Sequence, residues 1–409
     1  MSALKARQAA PDALSLEAVA STSTSPNPAE RDRAIDALRG FALFGIILVN
    51  APFFASPIYE GPPMAGAVDR WAFGALTALA IGKFFLIFSF LFGFGFATAL
   101  AADRRNGRAS GPRFVRRLIG LLTFGVLHAV FLFIGDILML YAMLGVSLWL
   151  VREWRPRTLL ITSGLIYLVA VVAQAAALTA TGFDSGGVLA RATAAYLGGF
   201  WDAVRFRLSE DLWIGQPFIL IFNGPAALSM FLAGLALARS GAFPGRPGQR
   251  AGAAWGWWLL VAGVVVGFAT LAWIGPNCAA PPTGPSVADF LAAMARSAAA
   301  PVLAAGYGVL LINAADRSPH GACIRLLSMV GQMTLTGYLL HSIILAFVFG
   351  GWGLGLFGKI GAAQCVAIGF AVYLALVALF ASWRLVFRYG PDEWLLRSFI
   401  ELELKRFRR

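Results

Sequence analysis

The fold is decided by apolar runs such as Leu38-Arg-Gly-Phe-Ala-Leu-Phe-Gly-Ile-Ile-Leu-Val-Asn50. This run begins beside an arginine and ends at an asparagine. A bilayer core about 30 Å thick needs roughly 20 such residues per helix. Extended to residues 37–55, this run is long enough to cross a bilayer once. Nine similar runs follow along the chain, and the ten predicted spans are 37–55, 81–102, 118–134, 137–151, 158–182, 216–238, 253–275, 290–314, 326–349 and 360–383.

The overall composition agrees with a membrane protein. The 409 residues are 59% hydrophobic and 13% charged, and a soluble protein of this length could not bury so much apolar surface. The predicted fold class is therefore an all-α membrane protein, a polytopic helical bundle of about ten transmembrane helices. Two stretches, 68–80 and 183–215, mix charges with aromatic residues and are predicted to be interfacial helices.

Basic residues are concentrated in alternate connections. Of the 33 lysines and arginines, 26 fall in the two tails and in the connections 103–117, 152–157, 239–252 and 315–325. This is the positive-inside pattern, and it predicts a multi-pass membrane protein with both termini in the cytoplasm. The net charge of +13 is therefore expected to interact with membrane lipids as partners and not with nucleic acid.

Three regions follow from this pattern. Residues 1–30 are rich in Ala, Ser and Pro and are predicted to be a disordered cytoplasmic tail. Residues 31–383 form the transmembrane domain, and 384–409 a cytoplasmic amphipathic segment. The three cysteines are too far apart in this topology to form a disulfide, and three histidines exclude a histidine-rich metal site, so no metal is predicted.

Polar groups at membrane depth are costly, so each one is a candidate for function. Arg39 and Asn50 are eleven residues apart, which places them on one helix face about 16 Å apart along the axis. The alternative is structural: an arginine at the membrane surface and an asparagine that bonds a neighbouring helix. Lys83 opens the second span and precedes two glycines, Gly93 and Gly95, that permit a close approach of a helix or a ligand.

A second group of polar residues flanks the turn between the third and fourth spans. His128 lies eight residues before Asp136, and Tyr141 follows in the next span. A histidine beside a carboxylate is a plausible general base whose carboxylate orients the ring. The alternative is that His128 bonds a neighbouring helix while Asp136 caps the helix that follows it.

The ninth span carries a polar stripe. Thr334, Tyr338 and His341 are spaced four and three residues apart, with Ser342 adjacent, so they face a cavity or another helix. The sixth span contains Asn223-Gly224-Pro225, which is predicted to break the helix and to free backbone groups near its middle.

These segments resemble the YeiB-like family of bacterial multi-spanning membrane proteins of unknown function, over essentially the whole chain after the tail. The resemblance rests on the motifs Asp36-Ala-Leu-Arg-Gly-Phe, Lys83-Phe-Phe, Gly135-Asp-Ile-Leu, Gly331-Gln-Met-Thr-Leu-Thr-Gly-Tyr and Tyr389-Gly-Pro-Asp-Glu-Trp394. The family is distantly similar to transmembrane acyltransferases of the heparan glucosaminide acetyltransferase and glycan O-acyltransferase type.

The resemblance implies acyl transfer from a cytoplasmic acyl-coenzyme A, acetyl-coenzyme A or another, to a lipid-linked or glycan acceptor of the envelope. The chain departs from the glycan enzymes, because Asn50 stands where they carry a histidine. It departs from the lysosomal enzyme as well, because Gly61 occupies the place of that enzyme's catalytic histidine. The predicted catalytic residues are therefore His128 as base, with His341 as the second candidate for that role, Asp136 as the orienting group and Asn50 as oxyanion donor. Substrate binding is assigned to Arg39, Lys83, Tyr141, Thr334, Tyr338 and His341.

Two other functions agree with the same residues. In a transporter or lipid-handling protein they would line a pathway, and the predicted break at 223–225 would form the binding site. In a non-catalytic membrane scaffold they would only hold helices together. Turnover of an acyl-coenzyme A separates the first hypothesis from both others.

The predicted topology is tested by cysteine labelling in whole cells. A cysteine introduced at Ser110 is expected to react with a membrane-impermeant maleimide only after permeabilisation, because it lies in an arginine-rich connection. Native Cys278 is expected to react in intact cells. Labelling of position 110 in intact cells would contradict the assignment of the two sides.

Overall fold

The computed structural model describes residues 28–57, 61–179, 187–241, 251–274 and 286–409. Within these ranges the regular structure is helical, apart from one isolated bridge between Phe387 and Arg408. The helices are α1 (Pro28–Phe54), α2 (Ala67–Leu79), α3 (Lys83–Arg105), α4 (Ser110–Phe131), α5 (Leu138–Leu150), α6 (Pro156–Thr179), α7 (Val188–Leu197), α8 (Phe200–Phe206), α9 (Leu212–Ser240), α10 (Ala251–Ile274), α11 (Val287–Arg317), α12 (Ala322–Gly331), α13 (Thr334–Phe349), α14 (Ala362–Val386) and α15 (Pro391–Glu401).

Eight helical segments of the described chain are long and apolar enough to cross a membrane. They correspond to eight of the ten predicted spans, so the protein is a multi-pass membrane protein of the predicted all-helical class. The other two predicted spans differ. Segment 326–349 is a pair of helices, α12 and α13, bent by 81°. Segment 137–151 contains only the 13 residues of α5, about 20 Å of helix, which is too short to cross the core alone.

The arginine-rich connections lie together at one end of the bundle, called the basic side. Arg104 bonds Glu153 at 2.5 Å and thereby joins two of these connections. Arg239 donates to the carbonyl of Arg152 at 2.6 Å and joins a third. At the opposite side, Gly351 donates to the carbonyl of Tyr196 at 2.8 Å, which links two of the arginine-poor segments.

Close helix crossings at glycines hold the bundle together. A Cβ built on Gly331 of α12 would lie 1.7 Å from the carbonyl oxygen of Asp36 in α1. A Cβ on Gly40 would lie 2.0 Å from the carbonyl oxygen of Leu327. Gly93 in α3 meets the backbone of Phe231 in α9 in the same way, at 2.0 Å, as its position in the sequence predicts.

The predicted break in the sixth span is wrong. Helix α9 runs without interruption from Leu212 to Ser240 and contains both Pro217 and Pro225. Pro225 has no N–H to donate to the preceding turn. Gln174 of α6 donates to the carbonyl of Phe222 at 3.1 Å, so a neighbouring helix is bonded to the backbone beside this turn.

The charged stretch 183–215 is not one interfacial helix. Its first part forms α7, while α8 continues through a π-helical turn, Arg207–Asp211, directly into α9.

The C-terminal segment forms α15 as an amphipathic helix. Leu395 and Leu402 remain exposed, whereas Trp394 packs on Phe407 with ring centroids 5.0 Å apart. Almost all of the predicted tail 1–30 lies outside the described residues, and so does Cys278.

Substitution of Gly331 by alanine is expected to destabilise the bundle. The added Cβ would overlap backbone that cannot rotate away, and overpacking of this kind typically costs about 1–3 kcal/mol. The measurement is the midpoint of heat-induced loss of the monodisperse peak in detergent. Gly164→Ala in α6 is the matched control, because nothing lies within 4 Å of its added Cβ. Equal midpoints for the two variants would contradict the packing role of Gly331.

Candidate functional site

A tight hairpin between α4 and α5 carries Asp136 back into the bundle. A Cβ on Gly125 of α4 would lie 2.4 Å from the backbone nitrogen of Met139, so only glycine lets α5 approach this closely. Asp136 is fully buried, and its Oδ2 accepts the N–H of Met139 at 2.6 Å. The capping alternative is confirmed, because Asp136 bonds the first turn of α5.

His128 joins Asp136 to a serine from a distant helix. Its Nδ1 lies 2.9 Å from Oδ1 of Asp136, and its Nε2 lies 2.8 Å from Oγ of Ser342 in α13. All three side chains have at most 1% of their surface exposed. The contact with Asp136 is close but poorly aligned, since no oxygen lies along the Nδ1–H direction. The arrangement nevertheless places a carboxylate, an imidazole and a hydroxyl in sequence.

Asn50 and His341 complete the group. Nδ2 of Asn50 lies 3.2 Å from Nε2 of His341, and that nitrogen is 3.4 Å from Oγ of Ser342. Nδ1 of His341 lies 3.2 Å from the carbonyl of Gly337, which can only accept, so Nδ1 carries the proton and Nε2 accepts from Asn50. We name this set the polar cluster, and its members are Asn50, His128, Asp136, His341 and Ser342.

Tyr338 connects the polar cluster to a cavity on the basic side. Its hydroxyl lies 3.4 Å from Oδ1 of Asp136 and accepts the N–H of Ile137 at 3.3 Å. Its ring is tilted against that of His128, with centroids 4.8 Å apart. Tyr338 also lines the cavity itself. It is therefore the residue that separates the polar cluster from the space on the basic side.

This basic cavity has a volume of about 580 Å³, within the range of small-molecule sites. Its wall contains Arg39, Arg117 and Arg397, together with Thr334 and Tyr338 of the predicted stripe. Arg39 shares its charge with Asp36 through a 2.8 Å ion pair. Within the described ranges, the ion pairs provide no carboxylate for Arg117 or Arg397. Both stack on aromatic rings instead, Arg117 over Phe92 and Arg397 over Tyr389.

The carboxylates of the cavity wall already have partners. Glu401 bonds Arg113 through both oxygens, and these hydrogen bonds hold the pKa of Glu401 below its usual value. Asp103 lies 3.0 Å from the same guanidinium. The unpaired positive charge therefore remains at Arg117 and Arg397. Gly95 lies close to this charge, because its Cβ would be 3.9 Å from the guanidinium of Arg39 and 4.0 Å from that of Arg117.

The bend between α12 and α13 also opens onto the cavity. Such a break exposes the N–H groups of a helix start, which attract anions. Here Glu393 of α15 occupies that position. Its carboxylate accepts the N–H of Leu335 at 2.6 Å and of Thr336 at 3.1 Å, as well as the Thr336 hydroxyl at 2.6 Å. Gly390 permits this contact, since its Cβ would meet the Glu393 carboxylate at 2.2 Å.

On the opposite side, a small pocket of about 40 Å³ approaches the polar cluster. Its inner end is closed by Phe54 and Phe133, whose rings stack with centroids 4.0 Å apart. Phe54 lies 6.5 Å from the His341 ring and Phe133 lies 6.4 Å from the His128 ring. Arg207 also lines this pocket. It is only 4% exposed, and its Nε has no partner among the described residues.

Two predicted site residues lie elsewhere or act differently. Lys83 is buried and donates to the carbonyl of Thr77 at 2.8 Å, so it closes the end of α2 and does not line the basic cavity. Tyr141 does line the cavity, but its hydroxyl bonds Ser89 at 2.8 Å. The described residues contain no group of three His, Cys, Asp or Glu side chains placed to hold a metal ion.

Sequence reasoning missed five residues of the site: Ser342, Glu393, Arg117, Arg397 and Arg207. Ser342 was noted only as the neighbour of His341, and Glu393 only as part of a terminal motif. Arg117 was one of six basic residues in its connection. Only the Ser342 signal was specific, because a serine four residues after Tyr338 shares the face of that stripe.

Comparison with known proteins supports the membrane assignment and names no activity. Residues 237–403 match the family described as a protein of unknown function, DUF418. The chain is 32% identical to the uncharacterized protein YxaH of Bacillus subtilis, over 90% of this chain and 94% of that protein. It is 29% identical to the uncharacterized protein YeiB of Escherichia coli, over 90% and 96% respectively. No solved structure matches the chain.

Proposed function

We propose an acyl-transfer function for this chain, which belongs to the YeiB-like (DUF418) family of multi-pass membrane proteins. In this proposal the protein moves an acyl group from a coenzyme A thioester to a hydroxyl of an envelope glycan or lipid. One observation carries it. A cavity with unpaired arginines ends at Tyr338, and Tyr338 contacts a buried carboxylate–imidazole–hydroxyl group.

The donor fits the basic cavity by charge. Coenzyme A carries phosphates, and guanidinium groups bind phosphate through paired, charge-assisted hydrogen bonds. Arg39, Arg117 and Arg397 supply such groups. The arginine-rich side then faces the cytoplasm, where the donor is made, and the protein lies in the bacterial inner membrane.

The chemistry requires a base, and His128 is best placed to supply it. With the Nδ1 proton held beside Asp136, Nε2 is free to accept a proton from a hydroxyl. Asp136 then stabilises the imidazolium that forms. Asn50 supplies an amide N–H near Ser342, where negative charge develops on the carbonyl oxygen during transfer.

The acceptor fits the opposite side. The small pocket ends on the Phe54–Phe133 pair, which directly covers the two histidine rings. These rings must part to admit an acceptor hydroxyl, and at rest they exclude water. Arg207, buried in the same pocket together with Asp211, has a free Nε that can donate to a polar group of the acceptor near the hydroxyl.

A transporter is the second candidate, and the bent pair α12–α13 favours it. Broken helices at mid-membrane form the binding sites of many transporters. In this chain, however, Glu393 already caps the start of α13, and the predicted break in α9 does not exist. Uptake of a substrate without release of coenzyme A would support transport and contradict acyl transfer.

Loss of a cavity arginine is expected to weaken donor binding. Arg117→Gln removes charged hydrogen bonds to the donor phosphates, each worth about 1.5–3 kcal/mol, so KM for the donor rises by roughly tenfold or more while kcat changes less. The measurement is coenzyme A release with purified protein, envelope extract and a series of acyl-coenzyme A donors. Arg155→Gln removes the same charge from an exposed position on the basic side and serves as control. An unchanged KM in Arg117→Gln would remove this arginine from the donor site.

Loss of His128 is expected to stop turnover without loss of donor binding. His128→Ala should lower kcat by about 10²–10⁴, the usual contribution of one general base. The donor should still raise the melting temperature of the variant, because a ligand that binds the native state stabilises it. His320→Ala is the control, since His320 is exposed on the basic side. Normal turnover in His128→Ala would exclude it as the base.

A further inference from the structure

Ser342 occupies the position of a nucleophile within the polar cluster. Its Oγ lies 2.8 Å from Nε2 of His128, whose Nδ1 lies 2.9 Å from Asp136. The three residues come from α13, from α4 and from the turn before α5, so only the folded bundle brings them together. A hydroxyl, an imidazole and a carboxylate in this order are the parts that activate a serine.

The proton positions agree with this role. The Asp136 carboxylate favours the imidazole form that carries its proton on Nδ1, so Nε2 is an acceptor. The Ser342 hydroxyl has three acceptors, Nε2 of His128 at 2.8 Å, the carbonyl of Tyr338 at 3.1 Å and Nε2 of His341 at 3.4 Å, and that of His128 is the closest. The poor alignment at Nδ1 does not oppose the role, since catalytic hydrogen bonds often tighten only in the reacting complex.

A purely structural role explains less of the geometry. Serines in helices commonly bond the carbonyl four residues earlier, as Ser382 does with Ala378 in this chain. Ser342 makes that bond too, but it also faces an imidazole that a buried carboxylate orients. Burial of a carboxylate in an apolar bundle is costly, and holding a serine in place does not require one.

We propose that Ser342 is acylated during the reaction, so that transfer proceeds in two steps through a serine ester. This inference rests on the acyl-transfer function proposed above. Ser342 Oγ forms a bond to the thioester carbonyl carbon as its proton passes to His128 Nε2. The carbon–sulfur bond then breaks, and coenzyme A leaves as the thiol with that proton. In the second step the acceptor hydroxyl gives its proton to Nε2 and attacks the ester, and Ser342 regains a proton from the imidazolium.

The same geometry assigns the neighbouring residues. Asn50 is the side-chain amide beside Ser342 and donates to the oxygen of each tetrahedral intermediate. His341 is a positioning residue. Its Nε2 accepts from Asn50 while its Nδ1 is fixed on the carbonyl of Gly337, so it holds the amide in place.

A two-step route also agrees with the aromatic side chains that close the polar cluster on both sides. Tyr338 separates Ser342 from the basic cavity, and the Phe54–Phe133 pair separates it from the small pocket. With an ester on Ser342, donor and acceptor need not be present together, and each side can open in turn. The aromatic closures keep water away from the ester between the steps.

The experiment has a first arm that needs no knowledge of the donor. Purified protein in detergent is treated with phenylmethylsulfonyl fluoride, and the modified residue is located by mass spectrometry. The expected result is one sulfonyl group on Ser342, lost in Ser342→Ala and reduced at least tenfold in His128→Ala. Ser229→Ala is the control, because Ser229 is equally buried but pairs with Ser163. An unmodified Ser342 in the wild type overturns the proposal, whatever the donor is.

The second arm follows the acyl group. Protein is incubated with radiolabelled acetyl-coenzyme A without acceptor and then denatured in acid. The expected label on Ser342 survives neutral hydroxylamine and is released by alkali, as an oxygen ester is. In Ser342→Cys the label becomes sensitive to neutral hydroxylamine, and in Ser342→Ala kcat falls by about 10³ or more. Turnover within tenfold of wild type in Ser342→Ala would leave acyl transfer standing and exclude the serine ester. Absence of turnover and of donor stabilisation in the wild type would exclude the function itself.

Discussion

Burial of the Asp136 carboxylate is the constraint on which the site depends. A charge in the interior of an apolar bundle is tolerated only when donors surround it. Three groups meet this need: the first turn of α5, the Tyr338 hydroxyl and the imidazole of His128. The α4–α5 hairpin folds tightly at Gly125 to bring them together. Because the hairpin places this carboxylate inside the bundle, α5 is short and cannot cross the bilayer alone.

The two sides of the bundle treat charge differently. On the basic side, carboxylates are present but committed: Glu401 and Asp103 to Arg113, and Glu393 to the start of α13. The cavity therefore presents Arg117 and Arg397 to any anion that enters. On the opposite side the space is small and mainly apolar, with one buried arginine and the buried Asp211. This difference between the two sides favours two different ligands, one on each side, over a single ligand that enters on one side and leaves on the other.

Much of the fold could be predicted from the sequence, because spans and faces follow from local periodicity. Apolar length located eight crossing helices, and the eleven-residue spacing correctly placed Arg39 and Asn50 on the interior face of one helix. The stripe of α13 was predicted as well, since Thr334 and Tyr338 line a cavity. Errors arose where a distant partner overrides a local signal. Helix α9 continues through Pro225 while it packs against α6, and the Lys83 ammonium donates to the carbonyl of Thr77 instead of lining the cavity.

Sequence periodicity cannot predict which residues of distant helices contact each other across the bundle. Ser342 and His128 are 214 residues apart, and no local pattern relates them. Their contact nevertheless changes the chemistry that the residues permit. A histidine alone in a membrane is a structural hydrogen-bond donor, whereas one fixed between a carboxylate and a hydroxyl can move a proton. Since Tyr338 and the Phe54–Phe133 pair close this proton path from both sides, any substrate must displace a ring to reach it.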